Sequence, residues 1–571
     1  MRAPSDAGRV VGLEAGSSRA TLTRRTVADT RAALVPCGRL RRTPLELALA
    51  AVATIIGLVV VLRPLFAVRY PAITDLPFHG AYVSAFRHWF DPSYHFQDQF
   101  TAHPVAVPYL TLYALGALFM LVLPAVPATK LAAAVVLGFV PLGVAVLAWG
   151  MKKSPLLGLG ALPLVWCELT HWGFVNFVGA LGLFAACLGF TMRLVDAPSR
   201  GRAAALGTSL VLVLVTHPFR FPFAVLAVVL TALLLTRELH RLKPLLLPLS
   251  LALSCFAAFY LSRPSEMGDG AVLAFDTARL AEVPEHLIGA FDDPRERVAA
   301  ERHLEVLGLL ALIGGLFALW DRPTAEERAR EAPPPSRRYL VATHLAVALS
   351  IAGFMLGYLS LPMDIGAWWY VYPREVSAAA VLVPALLPDL PRPLWLRALL
   401  VGALGLSSLG VSELVTDHYR RFDATTADFD AVTAELPQAP RLAYLVFDHT
   451  GSTRTQTPYI HLPAWVQAER GGWLSFHFAV WGTSPLRYRD PAEPGAVVPP
   501  QVPSRFEWTP ERFDMQRQGA FFDWFLVRSS FDPARMFRSD PSVERKAQQG
   551  KWWLYGRKQA RAEGAAPPSA P

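Results

Sequence analysis

The sequence predicts an all-α polytopic membrane protein of about 11–13 transmembrane helices with a small C-terminal soluble α/β domain. Hydrophobic residues make up 53% of the 571 residues and charged residues only 17%, whereas an average soluble chain is roughly 25% charged. The apolar runs are continuous rather than alternating, which excludes a transmembrane β-barrel. This composition also excludes a purely soluble enzyme, a disordered chain and a disulfide scaffold.

A basic segment, residues 1–44, precedes the first apolar run. It contains nine arginines and three acidic residues and shows no apolar periodicity. Such a segment suits either a nucleic-acid-binding arm or a disordered cytoplasmic tail. Basic residues flanking a first span are typical of the cytoplasmic side, which favours the tail. We therefore predict a disordered cytoplasmic tail and no nucleic-acid partner.

Apolar segments suited to a membrane continue from residue 45 to residue 411, the predicted transmembrane domain. Several are only about 15 residues long, against the roughly 20 that an upright span needs. Short segments indicate tilted or re-entrant elements around a polar cavity. The segments are 45–68, 105–124, 127–150, 154–170, 173–194, 203–217, 219–236, 244–262, 304–320, 339–361, 374–388 and 394–411.

The basic loops indicate the orientation, because short cytoplasmic loops are enriched in Lys and Arg. Lys152 and Lys153 form one such connection, and others lie further along the chain. The loop 263–303 instead holds nine acidic residues and five arginines, so we predict that it is external, together with loops 69–104 and 362–373. Two full passes between residues 105 and 153 would put Lys152 outside, which leaves the exact span count open.

The last part of the chain changes character after Gly410, where charged and turn-forming residues become more frequent. We predict a soluble extracytoplasmic α/β domain over residues 412–559 and a disordered tail over 560–571. The predicted elements of this domain are an amphipathic helix at 423–435 and strands at 441–447, 522–527 and 552–555.

Ionisable side chains at membrane depth are costly and therefore indicate function. Here they form four sets at the points where apolar segments break, all on the predicted external face. The sets contain Asp75, His79 and His103; Glu168, His171 and Asn176; His217 and Arg220; and Arg374. Their convergence predicts a cavity for a charged, phosphate-bearing ligand, since the planar guanidinium of arginine can donate two hydrogen bonds to a phosphate.

Asp75 permits two interpretations. Pro77 favours a helix that starts just after Asp75, so the carboxylate could simply cap that helix. Alternatively, it could serve chemistry beside His79, four residues further on, with its charge stabilised by the positive end of the helix. Any single histidine of the four sets can equally be a structural residue.

The residues that carry these sets resemble the GT-C superfamily, polytopic glycosyltransferases that use polyprenyl-phosphate-linked sugars. The resemblance covers roughly residues 45–571 and rests on short motifs and on the soluble domain after the last span. The motifs are Asp75-Leu-Pro-Phe-His79, His103-Pro104, Gly173-Phe-Val-Asn-Phe177 and Thr216-His217-Pro218.

This resemblance implies a GT-C-like fold and an inverting transfer of sugar from a polyprenyl-phosphate donor, with Asp75 as the general base. Asp75 is the one residue that the resemblance carries over, and the polar sets of this sequence supply the candidates that would bind the substrate or its phosphate. A divalent metal, Mg²⁺ or Mn²⁺, remains open, with Glu168 as its candidate ligand. The candidate substrate- or phosphate-binding residues are His79, His103, His171, Asn176, His217, Arg220 and Arg374.

Two other functions remain possible for such a chain. A transporter or flippase of a lipid-linked or anionic solute is one, although inverted repeats, which are typical of transporters, do not stand out here. A non-catalytic, lipid-binding protein with the same fold is the other. For all three we expect a multi-pass protein of a bacterial inner membrane, in contact with membrane lipids, whose N-terminus is cytoplasmic.

Overall fold

The computed structural model describes residues 44–104, 109–262, 272–287, 289–320, 335–366, 368–450, 456–481, 484–502 and 506–558. Both predicted tails, 1–44 and 560–571, lie outside these residues except for Pro44. Of the described residues, 44–48 fall in one compact unit and all later ones in a second.

The described chain is mainly helical, and the predicted polytopic membrane fold is confirmed. Eight helices within the described residues are long and apolar enough to cross a membrane. The helices are α1 Pro44–Phe66, α2 Leu76–Arg87, α3 Phe96–Gln99, α4 Leu110–Phe119, α5 Ala125–Gly150, α6 Glu168–Trp172, α7 Val175–Asp196, α8 Arg200–Thr216, α9 Phe221–Leu235, α10 Lys243–Ser262, α11 Val283–Leu287, α12 Pro294–Trp320, α13 Arg337–Ser360, α14 Pro373–Leu386, α15 Leu394–Thr433 and α16 Ala464–Arg470.

Four further elements occupy the remaining predicted apolar segments and are shorter than a full span. Helices α8 and α14 have 17 and 14 residues, and Pro155–Trp166 is a 3-10 helix of 12 residues. Because a 3-10 helix rises about 2.0 Å per residue, that segment still extends roughly 24 Å. Helix α4 has only 10 residues, about 15 Å, which is too short to cross a bilayer alone.

Glycines allow α5 and α7 to pack closely. Gly143 and Gly150 on α5 face Gly182 and Gly189 on α7, and a Cβ at either position of each pair would collide with the backbone of the opposite helix. Small residues at such contacts let two backbones approach and increase the van der Waals contact between the helices. Helix α7 is the most buried of the eight candidate spans, with 94% of its most apolar stretch buried.

The C-terminal region forms a five-stranded sheet. The strands of the chain are β1 Phe100–Ala102, β2 Arg441–Val446, β3 Trp473–Leu474, β4 Leu486–Tyr488, β5 Trp524–Arg528, β6 Val543–Gln549 and β7 Trp552–Arg557. The order in the sheet is β3-β2-β5-β7-β6. Strand β2 runs parallel to β3 and β5, whereas β7 is antiparallel to β5 and β6. The predicted strands at 441–447, 522–527 and 552–555 correspond to β2, β5 and β7.

Helix α15 continues without a break from the last apolar segment into the C-terminal region. It runs from Leu394 to Thr433, so most of the segment 423–435 is the end of this long helix rather than a separate amphipathic helix, which corrects that prediction. The predicted boundary between residues 411 and 412 lies inside α15.

The first loop, residues 69–104, is bound to the C-terminal region at two places. Strand β1 pairs antiparallel with β4, so that Phe100 lies opposite Tyr488. Helix α2 packs on α16, where Gly80 leaves room for the ring of Trp465, and the Tyr70 ring stacks on Trp465 at a centroid distance of 5.9 Å. These contacts bring residues from opposite ends of the chain to one place.

We predict that Gly182→Ala lowers the thermal unfolding temperature, because its Cβ would meet the carbonyl of Phe139 on α5. Overpacking of this kind costs about 1–3 kcal/mol of unfolding free energy. The matched control is Gly138→Ala on the partner helix α5, where no atom lies within 4 Å of the added Cβ. Thermal unfolding of the two variants in detergent checks the prediction, and equal unfolding temperatures would contradict it.

Candidate active site

A cavity of about 240 Å³ lies between the first loop, the ends of several membrane helices and the C-terminal region. Five of the residues selected from the sequence line it: Asp75, His79, Asn176, His217 and Arg374. They come from the beginning of α2, the beginning of α7, the break between α8 and α9, and the beginning of α14. The structure therefore brings together residues from all four polar sets.

Asp75 is the residue before α2, with Pro77 in the first turn as predicted. Its side chain makes no capping hydrogen bond, so the capping interpretation is wrong. Instead, its Oδ1 accepts a hydrogen bond of 3.0 Å from Nδ1 of His461. The carboxylate remains 19% exposed and lines the cavity.

The backbone around Asp75 is fixed against the segment that leads into α7. The amide of Thr74 donates to the carbonyl of His171 at 2.9 Å, and the amide of Asp75 donates to that of Trp172 at 3.2 Å. Gly173 follows with φ at +103°, and a Cβ there would collide with Cβ and N of Asp75. Only glycine therefore suits this position, both for its conformation and for space.

His79, on the next turn of α2, stabilises the same contact between the beginning of α2 and the turn at Gly173. Its Nε2 donates to the carbonyl of Gly173 at 3.0 Å, so Nδ1 accepts from the Tyr113 hydroxyl at 3.1 Å. Burial lowers the pKa of His79 below its ordinary value, because a buried imidazole loses the hydration that stabilises its charged form. His79 is therefore a neutral residue that links α2, the α6–α7 turn and α4.

Arg374 is the cation of the cavity wall. Its Nε and Nη2 donate to the carbonyls of Tyr370 and Trp369 at 3.0 and 2.8 Å, and its guanidinium carbon lies 4.2 Å from the centroid of the Phe174 ring. Among the described residues, no carboxylate forms a salt bridge with it. Its positive charge is thus held in place without being neutralised, which suits an anionic ligand.

The cavity wall also carries buried polar atoms that have no hydrogen-bond partner within the described chain. In folded proteins about nine in ten buried polar groups are hydrogen-bonded, so such a cluster requires an explanation. A ligand rich in oxygen atoms would satisfy them. The atoms are Thr74 Oγ1, Trp172 Nε1, Asn176 Oδ1 and Nδ2, His217 Nδ1, Trp368 Nε1 and His461 Nε2.

Arg220 does not reach the cavity, which corrects its prediction as a phosphate-binding residue. It is fully buried and pairs with Glu375 through both terminal nitrogens of its guanidinium, with Nη1 at 2.7 Å from Oε2 and Nη2 bonded to Oε1. Its guanidinium also lies over the rings of Phe177 and Phe223. Because its charge is already paired and buried, Arg220 is a structural residue and is not available to bind a phosphate.

Glu168 also lies outside the cavity wall. Its Oε2 accepts a hydrogen bond of 2.5 Å from the Tyr370 hydroxyl and lies 3.3 Å from Nδ1 of His286. Groups of three or more His, Cys, Asp or Glu side chains that could hold a metal do not occur among the described residues. The carboxylate of Glu282 lies 3.6 Å from the other ring nitrogen, Nε2 of His286, so the histidine stands between the two carboxylates. This arrangement does not fit the oxygen-rich sites of Mg²⁺ or Mn²⁺.

Two predicted histidines have structural partners away from the cavity. His171 is buried, with Nδ1 3.0 Å from the Tyr419 hydroxyl and Nε2 3.2 Å from the carbonyl of Trp166. His103 lies beyond β1, where its Nε2 is 3.0 Å from Oγ1 of Thr101. Neither lines the cavity, which corrects their prediction as substrate-binding residues.

His461 is the site residue that the sequence did not reveal. It comes from the C-terminal region, whose composition resembles that of an ordinary soluble domain, and it follows Asp75 by 386 positions. A local signal exists in the two prolines that flank it, Pro458 and Pro463, which fix the backbone on either side. The aromatic residues Trp481 and Trp508 of the same region also line the cavity.

Comparison with solved structures identifies the fold. The chain is similar to ArnT from Cupriavidus metallidurans, a glycosyltransferase solved bound to undecaprenyl phosphate, with a TM-score of 0.50 and 14% identity over 90% of this chain and 98% of ArnT. The chain thus has an ArnT-like fold, which agrees with the predicted fold class.

A second similar structure is the arabinofuranosyltransferase AftD from Mycobacteria, with a TM-score of 0.42 and 14% identity over 89% of this chain and 41% of AftD. No family model and no curated protein sequence matches the chain.

We predict that Arg220→Met destabilises the protein by about 3–5 kcal/mol, because it leaves the buried carboxylate of Glu375 without its partner. The double variant Arg220→Met/Glu375→Leu should recover most of this loss, since it removes both charges together. Thermal unfolding in detergent measures both effects. Unchanged stability of the single variant would contradict the structural role and return Arg220 to the ligand-binding residues.

Proposed function

We propose that this protein is a membrane glycosyltransferase that moves a sugar from a polyprenyl-phosphate donor to a hydroxyl-bearing acceptor. The observation that carries the proposal is the cavity wall, where the Asp75 carboxylate, the Arg374 guanidinium and a cluster of unpartnered polar atoms meet. The fold shared with ArnT, which was solved with undecaprenyl phosphate, supports a donor of that lipid class.

In this proposal the donor phosphate binds Arg374. Because the guanidinium and the indole N–H groups of Trp172 and Trp368 can only donate hydrogen bonds, they suit phosphate oxygens, which can only accept them. Asn176 and Thr74 can both donate and accept, as the hydroxyl groups of a sugar require.

The proposed reaction is a single displacement with inversion at the anomeric carbon. The acceptor oxygen forms a bond to that carbon while the bond to the phosphate oxygen breaks, and the polyprenyl phosphate leaves with the electron pair. Asp75 takes the proton of the acceptor hydroxyl, a role that contributes about 10²–10⁴-fold to such reactions. Arg374 stabilises the negative charge on the leaving phosphate.

We predict that Asp75→Asn reduces sugar transfer at least about 100-fold, because the amide cannot take the acceptor proton. Membranes or purified protein are incubated with a panel of radiolabelled polyprenyl-phosphate sugars, and release of label from the lipid is measured. The matched control is Asp98→Asn, a carboxylate of the same loop that pairs with His95 at 2.7 Å outside the cavity wall.

The control variant should transfer sugar at the wild-type rate, and both variants should unfold near the wild-type temperature. Full activity of the Asp75→Asn variant would remove the base assignment. Absence of transfer by the wild-type protein with every donor of the panel would overturn the proposed function.

We also propose a topology for the protein in a bacterial inner membrane. The segment 1–44 is cytoplasmic and the region 412–559 is extracytoplasmic, attached to the transmembrane part 45–411. The short α4 supports this proposal: if it does not cross, α5 is the single pass between the external first loop and Lys152, as the basic loops require.

We predict that alkaline phosphatase fused after residue 290 or after residue 558 is active, because it folds only outside the cytoplasm. A fusion after residue 330, in the basic connection that precedes α13, should be inactive. Phosphatase activity of whole cells checks the prediction, with immunoblots to compare the amounts of fusion protein. The reverse pattern would invert the proposed topology.

A further inference from the structure

We propose that His461 is a positioning residue for Asp75, which holds one carboxylate oxygen so that the other is directed to the acceptor hydroxyl. The inference rests on the proposed function. It adds a role for the C-terminal region, which in this view completes the active site rather than only covering it.

His461 and Asp75 form a direct hydrogen bond that uses one oxygen of the carboxylate. Nδ1 of His461 lies 3.0 Å from Oδ1 of Asp75, and the imidazole is 6% exposed whereas the carboxylate is 19% exposed. Both residues line the cavity, and Asp75 is the more exposed partner. Within the described chain, Oδ1 is the carboxylate oxygen that carries the hydrogen bond, so Oδ2 is available to a ligand.

The ring of His461 is held between aromatic side chains. It packs against Phe78 and Phe478 at centroid distances of 4.9 and 5.1 Å, and its Nε2 is buried without a hydrogen-bond partner among the described residues. Because a carboxylate oxygen can only accept a hydrogen bond, Nδ1 is the donor in the contact with Oδ1 of Asp75. The packed ring therefore orients the carboxylate through this one hydrogen bond.

The fold holds this imidazole firmly in place. The carbonyl of His461 accepts a hydrogen bond of 2.9 Å from the amide of Ala464 at the beginning of α16. Helix α16 is in turn fixed on α2 by the insertion of Trp465 at Gly80. The guanidinium carbon of Arg528 lies 3.7 Å from the ring centroid of Tyr459, two residues before His461. Because α2 begins immediately after Asp75, donor and acceptor belong to two elements that are packed on each other.

The experiment compares three substitutions of His461 in the full-length protein. His461→Phe keeps the ring shape but has no donor, and His461→Asn keeps an N–H close to the position of Nδ1. His461→Gln carries its N–H one methylene further out. We expect kcat to fall about 10- to 100-fold in the Phe and Gln variants, since a displacement near 1 Å can cost that much.

The Asn variant should retain kcat within about threefold of wild type, because it preserves the hydrogen bond that fixes the carboxylate geometry. KM for the polyprenyl-phosphate donor should change less than kcat in the Phe and Gln variants, because Arg374 and the indole N–H groups of Trp172 and Trp368 are intact. The matched control is His88→Phe, which keeps a ring stacked on Tyr94 at 3.9 Å and removes a histidine–aspartate contact outside the cavity wall. This control should transfer sugar at the wild-type rate.

A second measurement follows the hydrogen bond without any turnover. The infrared carboxylate band of Asp75, identified by difference from the Asp75→Asn variant, should shift in His461→Phe and stay at its wild-type frequency in His461→Asn. An unshifted band in the Phe variant would overturn the inference, and so would wild-type kcat in that variant. Loss of activity in the Asn variant equal to that in the Phe variant would also overturn it.

The outcomes separate this inference from the proposed function. If the wild-type protein transfers sugar and His461→Phe does so equally well, only the positioning role fails. If the wild-type protein transfers no sugar, the proposed function fails and the positioning role fails with it.

Discussion

The geometry of the candidate site depends on backbone hydrogen bonds between two distant parts of the chain. The amides of Thr74 and Asp75 bond to the carbonyls of His171 and Trp172, and Gly173 permits this approach because a Cβ would strike Asp75. The contact joins the beginning of α2 to the turn before α7. It thereby sets the position of the Asp75 carboxylate relative to Asn176 and the rest of the cavity wall.

Much of the fold follows from the sequence, because hydrophobicity and turn chemistry are local properties. Continuous apolar runs predicted the membrane helices, and short runs rich in apolar and aromatic residues predicted β2, β5 and β7. The 3-10 geometry of Pro155–Trp166 was not predicted, since hydropathy does not distinguish one helical geometry from another. The continuity of α15 was missed because its polar half resembles a separate amphipathic helix.

The candidate site was predictable where a polar residue interrupts an apolar segment, as at Asn176, His217 and Arg374. Such interruptions are costly in a membrane and are therefore visible in the sequence. What the sequence does not show is the partner of each charge, so Arg220 was taken for a free cation although Glu375 neutralises it. His461 gave no comparable signal, because a histidine in a water-exposed region is ordinary.

The antiparallel pairing of Phe100–Ala102 with Leu486–Tyr488 joins segments that a ribosome makes nearly four hundred residues apart. The helices can enter the membrane as they are synthesised, but the cavity lacks part of its wall until the final portion of the chain has been made and has folded back on the first loop. Completion of the cavity is thus a late event in synthesis, and it requires the first loop and the C-terminal region on the same side of the bilayer.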